Sequence, residues 1–359
     1  MKTKSKLVSI MAILMLSVLT ACASPSVKEP SSESSVRPAS GSDEDMKEGS
    51  TGNKEGEEAE DKGIMEDAED TSSEIFFTSD ISADGLVRIY EALGWEPQGK
   101  CAVKISTGEP PASNYLRPEL IGDLVQRVDG TIVECNTAYG GSRASSAMHK
   151  QVAEDHGFTR IAEFDLMDEE GDTEWPVSGG RRLDRIIVGS HAENYEDWVI
   201  LSHFKVHAMA GFGGAVKNVG IGISSARGKV LVHSAGTRTS GSIMHSDQDE
   251  WLEALAEMVK GFRDHVGEEH IIYINVMNRL SVDCDCDGNP AEPDIHDIGI
   301  LAGFDPVALD QACVDLIYKA EGNASLVNRI ESRNGLHTLE HGEEIGLGSR
   351  TYELIDIDE

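Results

Sequence analysis

The apolar residues of this chain predict strands that alternate with amphipathic helices from about residue 75 onward. The predicted strands are 101–105, 131–135, 161–166, 199–204, 271–277 and 298–302, and the predicted helices are 117–128, 145–156, 247–266 and 307–319. Asp305 and Pro306 suit the cap and first turn of the last helix. This alternation favours an α/β fold with a largely parallel, twisted sheet flanked by helices, in a single domain with insertions over residues 75–359.

The amino-terminal residues follow a different pattern. Residues 1–6 contain three lysines, and residues 7–19 are an apolar stretch of 13 residues, too short to span a bilayer as a stable helix. A basic start followed by a short apolar stretch is typical of a secretory signal. Leu19-Thr20-Ala21-Cys22 resembles the bacterial lipobox, whose cysteine receives a diacylglyceryl group. We expect residues 1–21 to be a lipoprotein signal peptide and Cys22 to anchor the protein to the cell membrane, facing outside the cytoplasm.

Residues 22–74 contain almost nothing that could be buried in a core. From Lys28 to Glu74 there are 16 acidic and five basic residues, among Ser, Gly and Pro. Such a segment cannot repay the entropy cost of ordering. We therefore expect a disordered acidic tether that spaces the folded domain from the membrane.

The net charge narrows the choice of partners. The whole chain carries −33, and residues 75–359 carry −25 of it. A surface this negative repels nucleic acid, so we expect no nucleic-acid partner. A small anionic ligand would need a local cluster of cations.

Residues 202–218 supply such a cluster. His203 and His207 share one face whether the segment is a strand or a helix. The glycines that follow expose backbone amides next to a cation, which is the chemistry of an anion nest. Turn formation alone is the simpler explanation for the glycines. The candidate anion-binding residues are Lys205, Gly211, Gly213, Gly214, Lys217 and Asn218.

A second cluster contains two closely spaced thiols. Cys284 and Cys286 point the same way in an extended segment, and with His203 and His207 they form a candidate metal site. The cofactor would be a metal ion or an iron–sulfur cluster, but a four-cysteine cluster would need distant cysteines. A redox-active thiol pair and an inert acidic loop are the alternatives.

A third candidate region lies where a predicted strand gives way to a helix. Asn136 and Arg143 follow the strand at 131–135. In open α/β sheets, ligands bind at the carboxyl ends of the strands. These two side chains could line such a crevice, although Asn136 could equally cap the turn.

Residues 133–144, 201–229 and 281–316 resemble a family catalogued as a domain of unknown function, DUF 362. Some members carry ferredoxin modules and are labelled iron–sulfur centre proteins. The resemblance implies an α/β domain with a metal or iron–sulfur connection, and it includes Asp310 as a residue that supports the site. The resemblance does not indicate which reaction, if any, the protein catalyses. This chain departs from the ferredoxin-bearing members because it has no Cys-x-x-Cys-x-x-Cys run.

Together these features predict a lipid-anchored extracytoplasmic protein. Its metal site would lie beside the glycine-rich anion-binding loop, with redox or metal-assisted chemistry. The alternative is a non-enzymatic surface lipoprotein that binds a small anion or a metal.

Overall fold

The computed structural model describes residues 72–244 and 247–358. The predicted signal peptide, Cys22 and nearly all of the predicted tether lie outside these residues. In chain order the elements are β1 (Ser73–Thr78), α1 (Ala83–Ala92), β2 (Cys101–Lys104), α2 (Pro118–Arg127), β3 (Thr131–Glu134), α3 (Ser146–Asp155), β4 (Phe164–Leu166), β5 (Asp172–Pro176), β6 (Arg185–Gly189), β7 (Asp197–His203), β8 (Lys205–His207), β9 (Gly211–Gly213), α4 (Ala215–Gly222), α5 (Ala226–His233), α6 (Gln248–Val266), β10 (Ile271–Met277), β11 (Gly299–Gly303), α7 (Pro306–Lys319), α8 (Ala324–Ser332), α9 (His337–Glu344) and β12 (Tyr352–Asp356).

Eight of these strands form one sheet in the order β12-β1-β11-β10-β7-β2-β3-β4. Every neighbouring pair from β10 to β4 is parallel, and β1 is parallel to β12. Only β11 is antiparallel to both of its neighbours within this sheet. The predicted α/β fold with a largely parallel sheet is therefore confirmed.

Helices cover both faces of the sheet. Along β7, Trp198 and Ile200 belong to one core cluster, whereas Val199 and Leu201 belong to the other. The first cluster packs under α4, α6 and α7, and the second packs under α1 and α2. Burial on both faces explains why the central strands are continuous apolar runs instead of alternating patterns.

The helix starts follow local capping chemistry. Asp305 caps α7 by accepting hydrogen bonds from the amides of Val307 and Ala308, with Pro306 in the first turn. Asp247 caps α6 through the amide of Glu250. Within residues 72–244 and 247–358, no helix is both long enough and apolar enough to cross a bilayer.

The described residues all belong to one structural unit.

The first strand of the sheet begins before the predicted end of the tether. β1 starts at Ser73, whose amide donates to the carbonyl of Thr351, and Glu74 pairs with Glu353 of β12. Ser73 and Glu74 are therefore part of the sheet, which corrects the predicted boundary. The reason is the carboxy-terminal strand β12, which gives these polar residues a backbone partner.

Four parallel strands end at the same edge of the sheet. β2 ends at Lys104, β3 at Glu134, β7 at His203 and β10 at Met277. The two candidate clusters follow β7 and β10, which are hydrogen-bonded neighbours. The fold therefore brings both clusters to one edge, where open α/β sheets bind ligands.

Candidate metal centre

The histidine-containing segment leaves the main sheet immediately after β7. Phe204 interrupts the strand, and its amide donates to the carbonyl of Val276. β8 then pairs with β9 as a separate hairpin, with Lys205 opposite Gly213 and His207 opposite Gly211. Lys205 and His207 therefore share one face of this hairpin.

Three donor side chains meet beside the hairpin. One ligand atom each of His207, Cys284 and Cys286 lies within 4.8 Å of the other two. His207 is buried and the two cysteines are half-buried. The amides of Met209 and Ala210 donate to Nδ1 of His207 at 3.1 and 3.0 Å, which leaves Nε2 for a metal ion. A group of this kind can hold a metal.

The protonation states of His207 and Cys286 suit metal binding. Burial and, to a smaller extent, the nearby Lys217 ammonium lower the pKa of His207 to about 4. A hydrogen bond from the Cys284 thiol lowers the pKa of Cys286 well below its usual range, and Lys217 acts in the same direction. The same hydrogen bond raises the pKa of Cys284. A neutral imidazole and a thiolate are the forms that coordinate metals.

The structure does not bring His203 into this group. Its Nε2 donates to the carbonyl of Asn278 at 2.8 Å, and its Nδ1 lies 3.2 Å from a carboxylate oxygen of Asp285. Both nitrogens are thus engaged elsewhere. The predicted shared face of His203 and His207 is lost because the strand breaks at Phe204, between β7 and β8.

Asp285 connects the thiol loop to the hairpin. Its buried carboxylate lies 2.6 Å from the ammonium of Lys205. Burial opposes ionisation, but Lys205 and then His203 hold the pKa of Asp285 well below its usual range. Because Asp285 lies between the two cysteines and Lys205 lies two residues before His207, this ion pair fixes the thiols beside the imidazole.

The glycine-rich loop is not open to an external anion. The carboxylate of Asp310 accepts hydrogen bonds from the amides of Ala215 and Val216 at the start of α4, at 2.8 and 3.0 Å. A Cβ atom at Gly214 would overlap this carboxylate. Gly211 has a φ of +81° and packs closely against Gly335. The glycines therefore serve turn geometry and close packing, and Asp310 occupies the predicted anion nest.

Most other residues of the predicted anion-binding set are also engaged. Lys205 pairs with Asp285. Asn218 accepts a hydrogen bond from Lys104 and donates to Ser202 and to two backbone carbonyls. Lys217 alone among the set's charged groups has no such partner within the described residues. The predicted loop therefore reduces to one available cation.

A cavity of about 530 Å³ opens beside the His/Cys group at the carboxyl ends of the strands. Arg143 is buried in its wall, where it contacts Glu109, Glu134 and the Tyr139 hydroxyl. Asn136 does not line this cavity; its amide group donates to Ser146 and Asp168. The structure thus places Arg143 at the cavity, whereas Asn136 lies in the turn behind it, which was the alternative interpretation for that residue.

The remaining described cysteines do not complete a four-thiolate cluster. Cys101 and Cys313 are buried in the two core clusters, and Cys135 donates to the carbonyl of Ile223. All five described cysteines are free thiols. Within the described residues, His207, Cys284 and Cys286 are the one metal-ligand group.

Sequence reasoning missed three buried charged residues that line the cavity: Lys104, Glu134 and Lys229. Glu134 accepts hydrogen bonds from Thr107 and contacts His149, and its other oxygen faces Lys104 and Arg143. Lys104 and Glu134 end β2 and β3, so a charged residue that terminates an apolar strand was the available signal. Lys229 lies within the short helix α5 and does not end a strand, so it gave no such signal.

The fold and this site define an α/β protein with a candidate metal centre at the carboxyl edge of its sheet. The chain belongs to the family described as "Domain of unknown function (DUF362)", whose model matches residues 101–315. A comparison with curated proteins gives no match. Among solved structures, the chain is similar to the lactate racemase apoprotein from Thermoanaerobacterium thermosaccharolyticum, with 13% identity and a TM-score of 0.42. The match covers 68% of this chain and 57% of that protein.

Proposed function

We propose that this protein binds one metal ion through His207, Cys284 and Cys286 and uses it in redox or metal-assisted chemistry at the adjoining cavity. Zinc and ferrous iron suit this donor set. Three protein ligands leave a coordination position open to a ligand from the cavity. A metal bound here would act as a Lewis acid or as a redox centre.

The proposal rests on three donor atoms, one each from His207, Cys284 and Cys286, that lie within 4.8 Å of one another. The same three residues also line a small adjoining cavity of about 70 Å³, together with Lys205 and Asp285. The donors therefore border both a tight pocket and a roomy cavity. The small pocket is suited to an ion, and the larger cavity has room for a ligand.

Metal analysis of the full-length protein tests the proposal. We expect about one zinc or iron ion per chain after purification without added metal. Cys284→Ser/Cys286→Ser should lose it. Cys135→Ser is the matched control, because this thiol lines the same cavity but lies outside the donor group. Equal metal content in the wild type and the double variant would contradict the proposal.

We further propose that the protein is lipid-anchored at Cys22 and faces outside the cytoplasm. The support is the basic start, the apolar stretch and Leu19-Thr20-Ala21-Cys22, followed by an acidic segment suited to a tether. Replacing Cys22 with Ser should abolish labelling by a radioactive fatty acid and release the protein from the membrane fraction. Labelling that persists in this variant would rule the anchor out.

The alternative is a non-enzymatic surface lipoprotein that binds a metal or a small anion. One observation favours it: Glu134, the most deeply buried carboxylate of the cavity, is already engaged by Thr107, His149, Lys104 and Arg143. It is therefore poorly placed to move protons. A pure binder should gain thermal stability with one ligand and show no turnover of it, whereas an enzyme should convert the ligand.

A further inference from the structure

The wall of the cavity beside the His/Cys group contains several buried cations, although the chain has a charge of −33. Four cations line it: Lys104, Arg143, Lys217 and Lys229. Lys104 is 1% exposed, Arg143 2% and Lys229 6%. Buried cations are costly unless they are paired, so their accumulation at one cavity calls for an explanation.

Three carboxylates also line the cavity, those of Glu134, Asp283 and Asp287, but they do not pair with all four cations. Glu134 lies 4.0 Å from Lys104 and 3.6 Å from Arg143, and Arg143 also contacts Glu109. Neither Lys217 nor Lys229 has a carboxylate oxygen within 4.0 Å among the described residues. The ammonium of Lys229 donates to the carbonyl of Ser224, which leaves two of its three N–H donors without an acceptor in the part of the chain that the structure describes.

Another part of the wall is apolar. Met209, Ile221 and Trp251 line the cavity, and the Trp251 ring stacks on His233 at a centroid distance of 5.0 Å. The cavity volume of about 530 Å³ is within the range of small-molecule sites. A bare inorganic anion would leave this apolar surface unused.

We propose that the cavity binds a small organic oxyanion, a phosphate ester or carboxylate, with its anionic group at Lys217 and Lys229 and its apolar part against Met209, Ile221 and Trp251. This inference deepens the proposed function by naming the class of ligand, and it rests on that function for the metal beside the ligand. It replaces the glycine-rich loop as the source of anion binding. The ammonium groups of Lys217 and Lys229, which have no carboxylate within 4.0 Å among the described residues, supply the attraction that the net charge of the molecule opposes.

Calorimetric titration of the full-length protein in detergent tests this assignment. The probes are phenyl phosphate, phenylacetate, inorganic phosphate and phenol. We expect at least one of the two organic oxyanions to bind more tightly than both inorganic phosphate and phenol. Lys229→Met and Lys217→Met should each weaken that binding by roughly tenfold or more, because each removes a charge partner from a desolvated site.

Lys319→Met is the matched control, since it removes the same charge from an exposed position at the end of α7. It should leave the affinity within about twofold of the wild type. Lys229→Arg, which keeps the charge, should bind more tightly than Lys229→Met. Lys217 is only half-buried, so its replacement tests the assignment even if Lys229→Met fails to fold.

The assignment is overturned if phenol binds as tightly as both organic oxyanions, or if Lys217→Met binds the preferred oxyanion like the wild type. Metal content measured on the same samples separates the two proposals. Lys229→Met should retain its metal while it loses oxyanion affinity, because Lys229 lies outside the donor group. A wild type that contains no metal but binds the oxyanion through Lys217 would contradict the metal centre and leave the ligand class standing.

Discussion

The ammonium of Lys205 lies 2.6 Å from the carboxylate of Asp285, and this ion pair joins the two segments that form the candidate centre. Lys205 comes from the β8–β9 hairpin and Asp285 from the loop after β10. Each is adjacent to donor residues, since His207 follows Lys205 by two positions and Asp285 separates the two cysteines. Both side chains are buried, so the pair is a strong positional restraint.

Breaking this pair should weaken metal binding although all three donors remain. We expect Asp285→Asn to lower metal affinity by about 10- to 100-fold, as is usual when a residue that orients ligands is lost. Competition with a chromophoric chelator measures the affinity, and thermal unfolding verifies the fold. Asp287→Asn, in the same loop but exposed, is the control and should bind metal like the wild type. Equal affinities for Asp285→Asn and the wild type would contradict the positioning role.

Gly214 should tolerate no side chain. A Cβ atom there would overlap the Asp310 carboxylate and the Phe204 ring, so Gly214→Ala must displace the hydrogen bonds at the start of α4. We expect a loss of about 2 kcal/mol or more in the free energy of unfolding, measured by chemical denaturation. Gly140→Ala is the control, because nothing lies within 4 Å of a Cβ atom at that position. Equal costs for the two variants would disprove the packing explanation.

Asp310 should make stability depend on pH. Burial raises the pKa of Asp310 to about 6, although hydrogen bonds from Asn275 and the amides of Val216 and Ala215 oppose the rise. Its pKa in the unfolded chain is about 3.9. The folded state therefore holds the proton more tightly than the unfolded chain. The resulting stabilisation of the fold is fully present below about pH 4 and is lost as pH rises through 6. The difference between the two pKa values corresponds to about 3 kcal/mol in the free energy of unfolding.

Chemical denaturation of the wild type and Asp310→Asn between pH 4 and pH 7 tests this dependence. The other titrating groups are common to both proteins, so the difference between their unfolding free energies isolates Asp310. We expect the wild type to lose stability relative to the variant as pH rises from about 4 to 6. Parallel curves across this range would contradict the raised pKa.

Asp305 should matter more than an ordinary helix cap. One oxygen accepts from the amides of Val307 and Ala308, and the other accepts from the Ser73 hydroxyl and the Ser349 amide. A cap alone contributes about 1 kcal/mol. We expect Asp305→Ala to cost about 2–4 kcal/mol by chemical denaturation, because it also leaves groups from two other segments unpaired.

Asp247→Ala is the matched comparison for Asp305→Ala. The Asp247 side chain caps α6 through a single hydrogen bond to the Glu250 amide, so its loss should cost about 1 kcal/mol. If the two substitutions have equal cost, the additional contacts of Asp305 contribute nothing to stability.

The central strands could be predicted from sequence because burial on both faces makes each of them a continuous apolar run. The strand at Ile271–Met277 was predicted to the residue, and the helix capped by Asp305 to within one. The outer strands β1 and β12 were not predicted. Their half-exposed, polar residues depend on pairing partners nearly 280 positions away in the chain, which no local pattern reveals.

The candidate site was predictable only in part. The spacing of Cys284 and Cys286 pointed to paired thiols, and the structure places His207 beside them. His203 followed the same alternation, but a change of sheet between β7 and β8 redirects it to Asp285 and Asn278. Lys229 could not be found, because its role depends on the cavity that α5 helps to form.

X-ray absorption spectroscopy of the metal-loaded full-length protein reports the atoms bound to the ion, so it tests the His/Cys metal centre itself. For zinc, we expect two sulfur ligands at about 2.3 Å and one imidazole nitrogen at about 2.0–2.1 Å. The nitrogen contribution should disappear in His207→Ala and persist in His203→Ala. A shell of oxygen and nitrogen atoms without sulfur, unchanged in Cys284→Ser/Cys286→Ser, would contradict the account.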